Sequence, residues 1–350
     1  MKIKLNKYYQ RLLLNLFVSF IGATTTLYSQ DLHFSQFFNS PLSTNPANTG
    51  FIPNSDYRVG ANHRDQWSTI PVPYKTTSIW ADAQFMREKI PGGWFGLGGL
   101  ILQDVAGTGA LKSTKTYLSL AYHQMLGATG LLSAGFNVGY AAKRINESKL
   151  TFDEQWNGKF FDGAKTSGEV FQNTSIGYAD LQAGLNYAWF PTDNIYLHAG
   201  FSMHHLNRPV ESFFLATQGY DNRLKIRSIF FADAMIKLNE QLIISPAVYY
   251  TNQAKSSELV AGMQLNFNVA EGGDQQFIAG LYSRKGDALI PMLGYQWRGF
   301  RFSFTYDVTN SPLRNFNGGR GANELSLLFE GIVNPGYRSP SSFTCPRFGY

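Results

Sequence analysis

The 350-residue sequence has little of three features that many soluble proteins contain. It has a single cysteine, Cys345, which excludes an intramolecular disulfide and a cysteine-based metal site. Charged residues make up only 15% of the chain, whereas soluble domains carry about 25%. After residue 30 there is no run of about 18 apolar residues, which excludes helical membrane spans in that part of the chain.

The sequence also lacks a marked excess of positive charge. It contains 30 Lys and Arg against 24 Asp and Glu, and four of the basic residues precede residue 12. The rest of the chain carries 26 basic against 24 acidic residues. This near balance gives no electrostatic reason to expect nucleic acid as a partner.

What is present begins with a segment typical of export. Residues 1–11 contain all four of those basic side chains, residues 12–22 are apolar, and a small, polar stretch ends near Gln30. This order is that of a secretory signal peptide, and the apolar run is too short to span a membrane as a helix. We therefore expect residues 1–30 to be a signal peptide.

Alternation of apolar and polar residues dominates the remaining chain. Between Phe300 and Val308, for example, apolar residues alternate with Arg301, Ser303 and Asp307, a pattern that predicts a strand with two unlike faces. We predict about fourteen such strands. Their spans are 55–64, 75–86, 94–104, 113–126, 131–144, 177–190, 194–206, 224–238, 241–252, 257–269, 275–284, 287–297, 300–309 and 322–330.

The connections between these strands differ systematically in length. Tight turns follow even-numbered strands, and the three longest loops, near 145–176, 207–223 and 310–321, follow odd-numbered strands. Outer-membrane barrels have short periplasmic turns and long outer loops. We therefore predict an all-β fold, a transmembrane antiparallel β-barrel over residues 55–330 in the cell outer membrane. The even strand count predicts that both termini, including a tail at 331–350, are periplasmic.

The segment 31–54 precedes the first predicted strand. It carries Phe34, Phe37 and Phe38 and then the turn-forming run Asn45–Asn48. Many inward positions of the predicted barrel are Gly, Ser, Asn or Ala, which suits a lumen filled by something other than large side chains. This pattern favours a plug on the periplasmic side, and a mobile tail is the alternative.

No motif of catalysis, cofactor binding or metal binding is evident. The six histidines do not show ligand spacing with carboxylates, and the sequence has no nucleophile elbow or phosphate-binding glycine loop. The run Gly96–Gly99 lies within a predicted strand and is better explained by close packing. We therefore predict no catalytic, cofactor or metal residues and no enzyme activity.

Aromatic residues in two predicted loops are the candidates for partner binding. The loop at 145–176 carries Phe152, Trp156, Phe160 and Phe161, and the loop after the first strand carries Trp67. Exposed aromatic residues in loops often serve recognition. The alternative is a loop that packs its own aromatic rings over the barrel mouth.

Short motifs across nearly the whole chain after the signal resemble the PorP/SprF family of type IX secretion membrane proteins. They are FSQF at 34–37, NPA at 45–47, YRVG at 57–60, NHRDQW at 62–67, IPVPY at 70–74, LTF at 150–152, DLQAG at 180–184, HLNRP at 205–209 and CPRF at 345–348. Each is weak alone, but so many in order make the resemblance specific.

The resemblance implies an outer-membrane barrel of type IX secretion or gliding motility. Such a protein assists secretion or surface attachment of a large adhesin-like partner and associates with periplasmic components of the machinery. Two other functions stay open from the residues alone: a fatty-acid-transporter-like barrel for hydrophobic small molecules, and a passive porin.

Overall fold

The computed structural model describes residues 32–333 apart from 53–54, 71–72, 88, 108–110, 151, 167, 169–172, 214–220 and 270–274. The predicted signal peptide and most of the predicted tail lie outside these residues. The strands are β1 Tyr57–Gln66, β2 Tyr74–Phe85, β3 Gly93–Ala106, β4 Leu111–Leu126, β5 Gly130–Ile145, β6 Ser175–Thr192, β7 Ile195–His204, β8 Arg227–Lys237, β9 Leu242–Gln253, β10 Ser256–Asn268, β11 Gln275–Arg284, β12 Ala288–Trp297, β13 Phe300–Thr309 and β14 Arg320–Gly331.

The fourteen strands form one closed antiparallel barrel in which each strand pairs with its sequence neighbours. Closure is made by β1 and β14, whose register runs from Tyr57 opposite Gly331 to Gln66 opposite Ala322. A closed ladder leaves no unpaired edge, which a membrane requires. The structure confirms the predicted all-β barrel, and the predicted strand boundaries agree with those observed to within a few residues.

The two faces of the barrel wall differ sharply in chemistry. On β13, Phe300, Phe302 and Phe304 point outward and are 36–49% exposed, whereas Ser303 and Asp307 point inward and are at most 1% exposed. The outward apolar side chains form the lipid-facing band of a membrane barrel. The interior is therefore the place where polar chemistry is available.

The two ends of the barrel also differ. At the terminal end, where β1 begins and β14 ends, turns such as 127–129 and 298–299 are short. At the opposite, long-loop end lie the connections 146–174, 205–226 and 310–319.

Among the described residues, six short helices are not part of the barrel wall. They are Phe37–Asn39, Pro41–Thr44, Pro46–Asn48, Glu147–Lys149, Asp153–Gln155 and Arg314–Asn317. None of the helices in the described part of the chain is long and apolar enough to cross a membrane.

Residues 33–52, here called the lumenal segment, lie inside the barrel. Nearly all of them are buried, including Phe34, Asn45 and Ile52. The preceding Leu32 carbonyl accepts a hydrogen bond from Arg227, the first residue of β8 at the long-loop end. The segment then continues to the terminal end, where β1 begins, so that it extends through the interior instead of lying at one end.

Candidate functional site

The lumenal segment is held near the long-loop end by a cluster of buried charges. Arg64 Nη2 lies 2.8 Å from Asp307 Oδ2, and Arg64 Nη1 lies 3.1 Å from Glu324 Oε2. Arg284 Nη1 is 2.9 Å from the same Asp307 oxygen. The Ser35 hydroxyl accepts hydrogen bonds from both arginines, and its backbone N–H donates to Glu324 at 2.8 Å. Two cations and two carboxylates from the wall thus converge on one residue of the segment.

The next residues of the segment bind the same side of the wall. The Gln36 backbone N–H donates to Glu324 Oε1 at 2.8 Å, and its side-chain oxygen accepts from Ser303 Oγ at 2.6 Å. Asn39 Nδ2 donates to Ser303 Oγ at 2.9 Å. Buried polar groups are stable only when they are hydrogen-bonded, so these residues fix the segment against β13 and β14.

His33, at the start of the segment, also contacts a carboxylate of the wall. Its Nε2 lies 3.0 Å from Glu258 Oε2. Burial lowers the pKa of the imidazole to about 4, although the carboxylate of Glu258 opposes that shift.

The Asn-Pro-Ala run forms a turn against β6 and β7. Asn45 Oδ1 accepts from the Ala47 backbone N–H at 2.8 Å, which caps the short helix that follows. Its Nδ2 donates to the Leu185 carbonyl at 2.9 Å. Asn186, on β6, donates to the Ala47 carbonyl at 3.0 Å and to Asn48 Oδ1 at 2.8 Å. The turn is therefore bonded directly to the barrel wall.

Inward-facing glycines let the segment approach the wall closely. A Cβ at Gly96 would lie 1.9 Å from the Thr49 carbonyl oxygen, and one at Gly184 would lie 1.9 Å from Asn45 Oδ1. A Cβ at Gly135 would lie 2.3 Å from the Pro46 carbonyl carbon. We call Gly96, Gly135 and Gly184 the glycine cradle. No other residue leaves room for the segment at these positions.

The end of the segment is bonded to the wall near the terminal end. The Gly50 N–H donates to Asp82 Oδ2 at 2.6 Å, and the Gly50 carbonyl accepts from Trp94 Nε1 at 2.9 Å. Gly50 has a positive φ of 68° and lies too close to β3 for a side chain. His123 Nε2 lies 2.8 Å from the Thr49 carbonyl. The segment is thus bonded at both ends and in its middle.

The predicted partner-binding aromatics lie at the long-loop end. Trp156, Phe160 and Phe161 are 48–60% exposed, and the Trp156 and Phe161 rings pack against each other at 5.2 Å. Phe152 is partly buried on the same loop. Trp67 is partly buried and packs edge-on against Tyr74. Its loop lies four strands away from the β5–β6 loop, so the structure groups four of the five residues and separates Trp67.

A match to a known protein family identifies the relatives of this chain. The sequence matches the family of the type IX secretion system membrane protein PorP/SprF over residues 26–329. The chain belongs to the PorP/SprF family. This is a family of secretion-associated membrane proteins and not an enzyme family. Comparison with curated protein sequences finds no match.

Several solved structures are similar in fold to this PorP/SprF barrel. The Pseudomonas putida toluene transporter TodX has 10% identity and a TM-score of 0.49, covering 83% of this chain and 92% of TodX. The Ralstonia pickettii toluene transporter TbuX has 9% identity and a TM-score of 0.48, with coverage of 84% and 94%. A Pseudomonas aeruginosa FadL homologue has 11% identity and a TM-score of 0.48, with coverage of 82% and 92%.

The residues that bind the lumenal segment were not predicted as a site. Asp82, Asp233 and Asp307 follow the inward positions of the strand pattern, but scattered lumenal charges are ordinary in barrels. The useful signal would have been that Arg58 and Arg64 are inward on β1 and can pair with such carboxylates. The structure pairs Arg58 with Asp82 at 2.9 Å. Among the residues that the structure describes, no group of three or more His, Cys, Asp or Glu is placed to hold a metal ion.

Proposed function

We propose that this PorP/SprF barrel is a non-enzymatic component of type IX secretion and gliding that assists the secretion or surface attachment of one large adhesin-like protein. The observation that carries the proposal is the occupied interior. Because residues 33–52 are hydrogen-bonded to the wall along their length, a secreted chain cannot pass through the barrel beside them. The protein therefore acts through its two rims.

In this proposal the lumenal segment is a plug. A passive porin needs an open, charged constriction, but here Arg64, Asp307 and Glu324 are bonded to each other and to Ser35. A fatty-acid-transporter-like barrel needs a continuous hydrophobic pocket through the lumen. The buried charges near the long-loop end interrupt any such pocket. Both alternatives are thus less well supported than a plugged secretion component.

The long-loop rim is the proposed surface for the adhesin-like partner. Trp156, Phe160 and Phe161 are large, half-exposed rings on one loop. Aromatic side chains dominate the binding energy of many protein interfaces, since each contributes a large contact area at low entropic cost. Phe152 extends this surface in the proposal, with less exposed area, and Trp67 is a separate candidate position on the same rim.

Replacing residues 150–172 with a short Gly/Ser linker should abolish display of the adhesin and leave the barrel intact. Barrel stability comes from the closed ladder and the lipid-facing residues, and a shorter surface loop changes the closure entropy by only about 0.6 kcal/mol per halving of length. Heat-modifiable protein in the outer membrane measures the barrel. Surface proteolysis and mass spectrometry of the medium measure the displayed and shed adhesin.

A triple variant separates recognition from loop structure. Trp156→Ala, Phe160→Ala and Phe161→Ala together keep the loop length and should lower display by about tenfold or more. The matched control is Phe316→Ala, which removes an aromatic ring that is 79% exposed on the β13–β14 loop. Normal display in both loop variants would remove this surface from the mechanism. Loss of the folded barrel would show that the loop is structural.

The terminal end faces the periplasm in this proposal, together with the tail at 331–350. There it is available to the periplasmic components of the secretion system. The support is the even strand count and the short turns at the end where β1 begins. The first described residue, Leu32, lies by contrast near the long-loop end. That the amino terminus is periplasmic stays a prediction.

A cysteine-labelling experiment checks this orientation. In a Cys345→Ser background, Lys159→Cys introduces a thiol on the exposed β5–β6 loop, and Glu240→Cys introduces one on the exposed β8–β9 turn. A membrane-impermeant maleimide applied to intact cells should label the first variant only. Both should react after the outer membrane is permeabilised. Labelling of the Glu240→Cys variant in intact cells would reverse the orientation.

A further inference from the structure

The lumenal segment adds one crossing of the barrel to those that the strands make. The fourteen strands are an even number, so β1 begins and β14 ends at the same, terminal end of the barrel. The segment precedes β1 and runs through the interior from the opposite, long-loop end. The described chain therefore crosses the barrel fifteen times, once within the lumen and fourteen times in the wall, and its two ends lie on opposite sides.

The free end of the segment is held at the long-loop end by two contacts. Arg227, the first residue of β8, donates to the Leu32 carbonyl at 2.8 Å. His33 Nε2 lies 3.0 Å from Oε2 of Glu258, the third residue of β10. Both of these strands begin at the long-loop end. Leu32 and His33 are only partly buried, whereas residues 34–37 are buried, so the chain reaches solvent at this rim.

The other end of the segment is tied to the wall at the terminal end. The Asp56 backbone N–H donates to the Gly331 carbonyl at 2.8 Å, and Asp56 Oδ2 accepts from the Val333 N–H at 2.9 Å. The next residue, Tyr57, is the first residue of β1 and belongs to the β1–β14 ladder that closes the barrel. This end of the segment is therefore a fixed tether, which moves only if the wall itself unfolds.

A closed wall restricts how a segment with this tether can leave the interior. It cannot leave sideways, because a closed ladder has no free edge between strands. If the free end were pulled outward at the long-loop end, the chain would still run through the lumen from its tether. At about 3.3 Å per residue, about ten extended residues would remain inside, since β1 itself spans ten residues. The lumen is cleared only when the free end passes through it to the terminal end.

We propose that residues 33–52 are a threaded plug that opens in one direction. Their free end emerges at the long-loop rim, on the side opposite to the one expected from the strand count alone. A partner that grips this free end keeps the barrel closed, whereas a partner that clears the lumen acts from the terminal end. In the proposed orientation the first partner is extracellular and the second is periplasmic. The threading itself follows from the described contacts and goes beyond the proposed role in secretion.

Labelling from one side of the membrane tests the threading. In a Cys345→Ser background, a Gly-Ser-Cys-Gly-Ser stretch inserted after Asp31 places a thiol just outside the free end. A maleimide on a polyethylene glycol chain too large for porins should label this thiol in intact cells, as it labels Lys159→Cys. The matched control carries the same insertion after Val333 and should react only after permeabilisation, as Glu240→Cys does. Heat-modifiability verifies that each variant is folded.

The two reference thiols make this result independent of the orientation of the barrel. Lys159 lies on the β5–β6 loop at the long-loop end, and Glu240 lies on the β8–β9 turn at the terminal end. Reaction of the inserted thiol under the same conditions as Lys159→Cys supports the threading, even if both thiols need permeabilisation. Reaction under the conditions of Glu240→Cys overturns the threading and places the amino terminus on the side of the tail.

A lock on the free end tests the direction of opening. Streptavidin, bound to a disulfide-linked biotin on the inserted thiol, is a folded protein too large to enter this lumen. In planar bilayers, urea that leaves the barrel heat-modifiable should raise the conductance about twofold or more less in this adduct than in streptavidin-bound Lys159→Cys, because an extended chain stays inside. Reduction of the linker should remove the difference. Equal conductance of the two adducts before reduction would overturn one-way opening.

Discussion

Leucine at both Gly135 and Gly184 should open the barrel to ions. These two glycines are directly opposite each other on β5 and β6. A Cβ on either one already comes within 2.3 Å of the Asn45–Pro46 backbone or side chain, and leucine adds three further carbon atoms. The lumenal segment cannot remain bonded to the wall in this variant. We expect a conductance about tenfold or more above that of the parent in planar bilayers, because a barrel of this size encloses an aqueous lumen once it is emptied.

The control for this experiment adds the same leucines on the other face of the same strands. Ala134→Leu with Ala183→Leu points toward lipid, where extra apolar surface is tolerated. The control should insert, migrate as a folded barrel and remain as closed as the parent. Protease added to the open variant should also cleave residues 33–52, which are protected in the parent. A closed Gly135→Leu/Gly184→Leu variant would show that the segment does not block conduction.

The strands were predictable because a membrane barrel shows its alternation in the sequence. Lipid requires apolar residues at every outward position, and the lumen accepts small or polar residues, so a stretch such as Phe300–Thr309 has one possible register. Loop lengths then indicated closure and orientation of the strands. The fold follows from contacts between neighbouring strands, which a periodic pattern encodes directly.

The path of the lumenal segment could not be predicted from periodic alternation. Asn45 bonds to the Leu185 and Phe201 carbonyls, 140 and 156 residues away in the sequence. Such contacts leave no periodic pattern, since each depends on one side chain meeting one backbone group. The nearest signal was the glycine run at 96–99, interpreted as close packing. In the structure the partner of Gly96 is Thr49 of the segment.

The sequence predicted the location of the aromatic loop but not the packing of its rings. Composition placed Trp156, Phe160 and Phe161 on a long loop, but it could not say whether their rings were exposed. The structure shows self-packing between Trp156 and Phe161 and a Phe160 that is 60% exposed. The exposed Phe160 agrees with a loop that presents aromatic rings, and the Trp156–Phe161 contact agrees with a loop that packs its own rings. The loop variants test whether a partner binds this surface.

The second large effect should come from Arg64, since it bridges Asp307, Glu324 and Ser35 in the interior. Arg64→Met keeps much of the side-chain volume and removes the charge. It leaves Glu324, whose side chain is fully buried, without its cation. Loss of one partner from a buried ion pair costs about 3–5 kcal/mol, because the remaining charge is uncompensated. We expect a decrease of that size in the free energy of unfolding, measured by urea titration of the heat-modifiable band.

A double-mutant cycle distinguishes this charge effect from lost packing. Glu324→Gln removes the uncompensated carboxylate and keeps its shape, so Arg64→Met with Glu324→Gln should be less destabilised than Arg64→Met alone. Arg320→Met, on an exposed position of β14, is the matched control and should change stability by no more than about 0.5 kcal/mol. If Arg64→Met lowers the free energy of unfolding no more than Arg320→Met does, the buried cluster does not stabilise the barrel. The segment would then be held by the glycine cradle and the hydrogen bonds of Asn45 and Gly50, and only the leucine variants would release it.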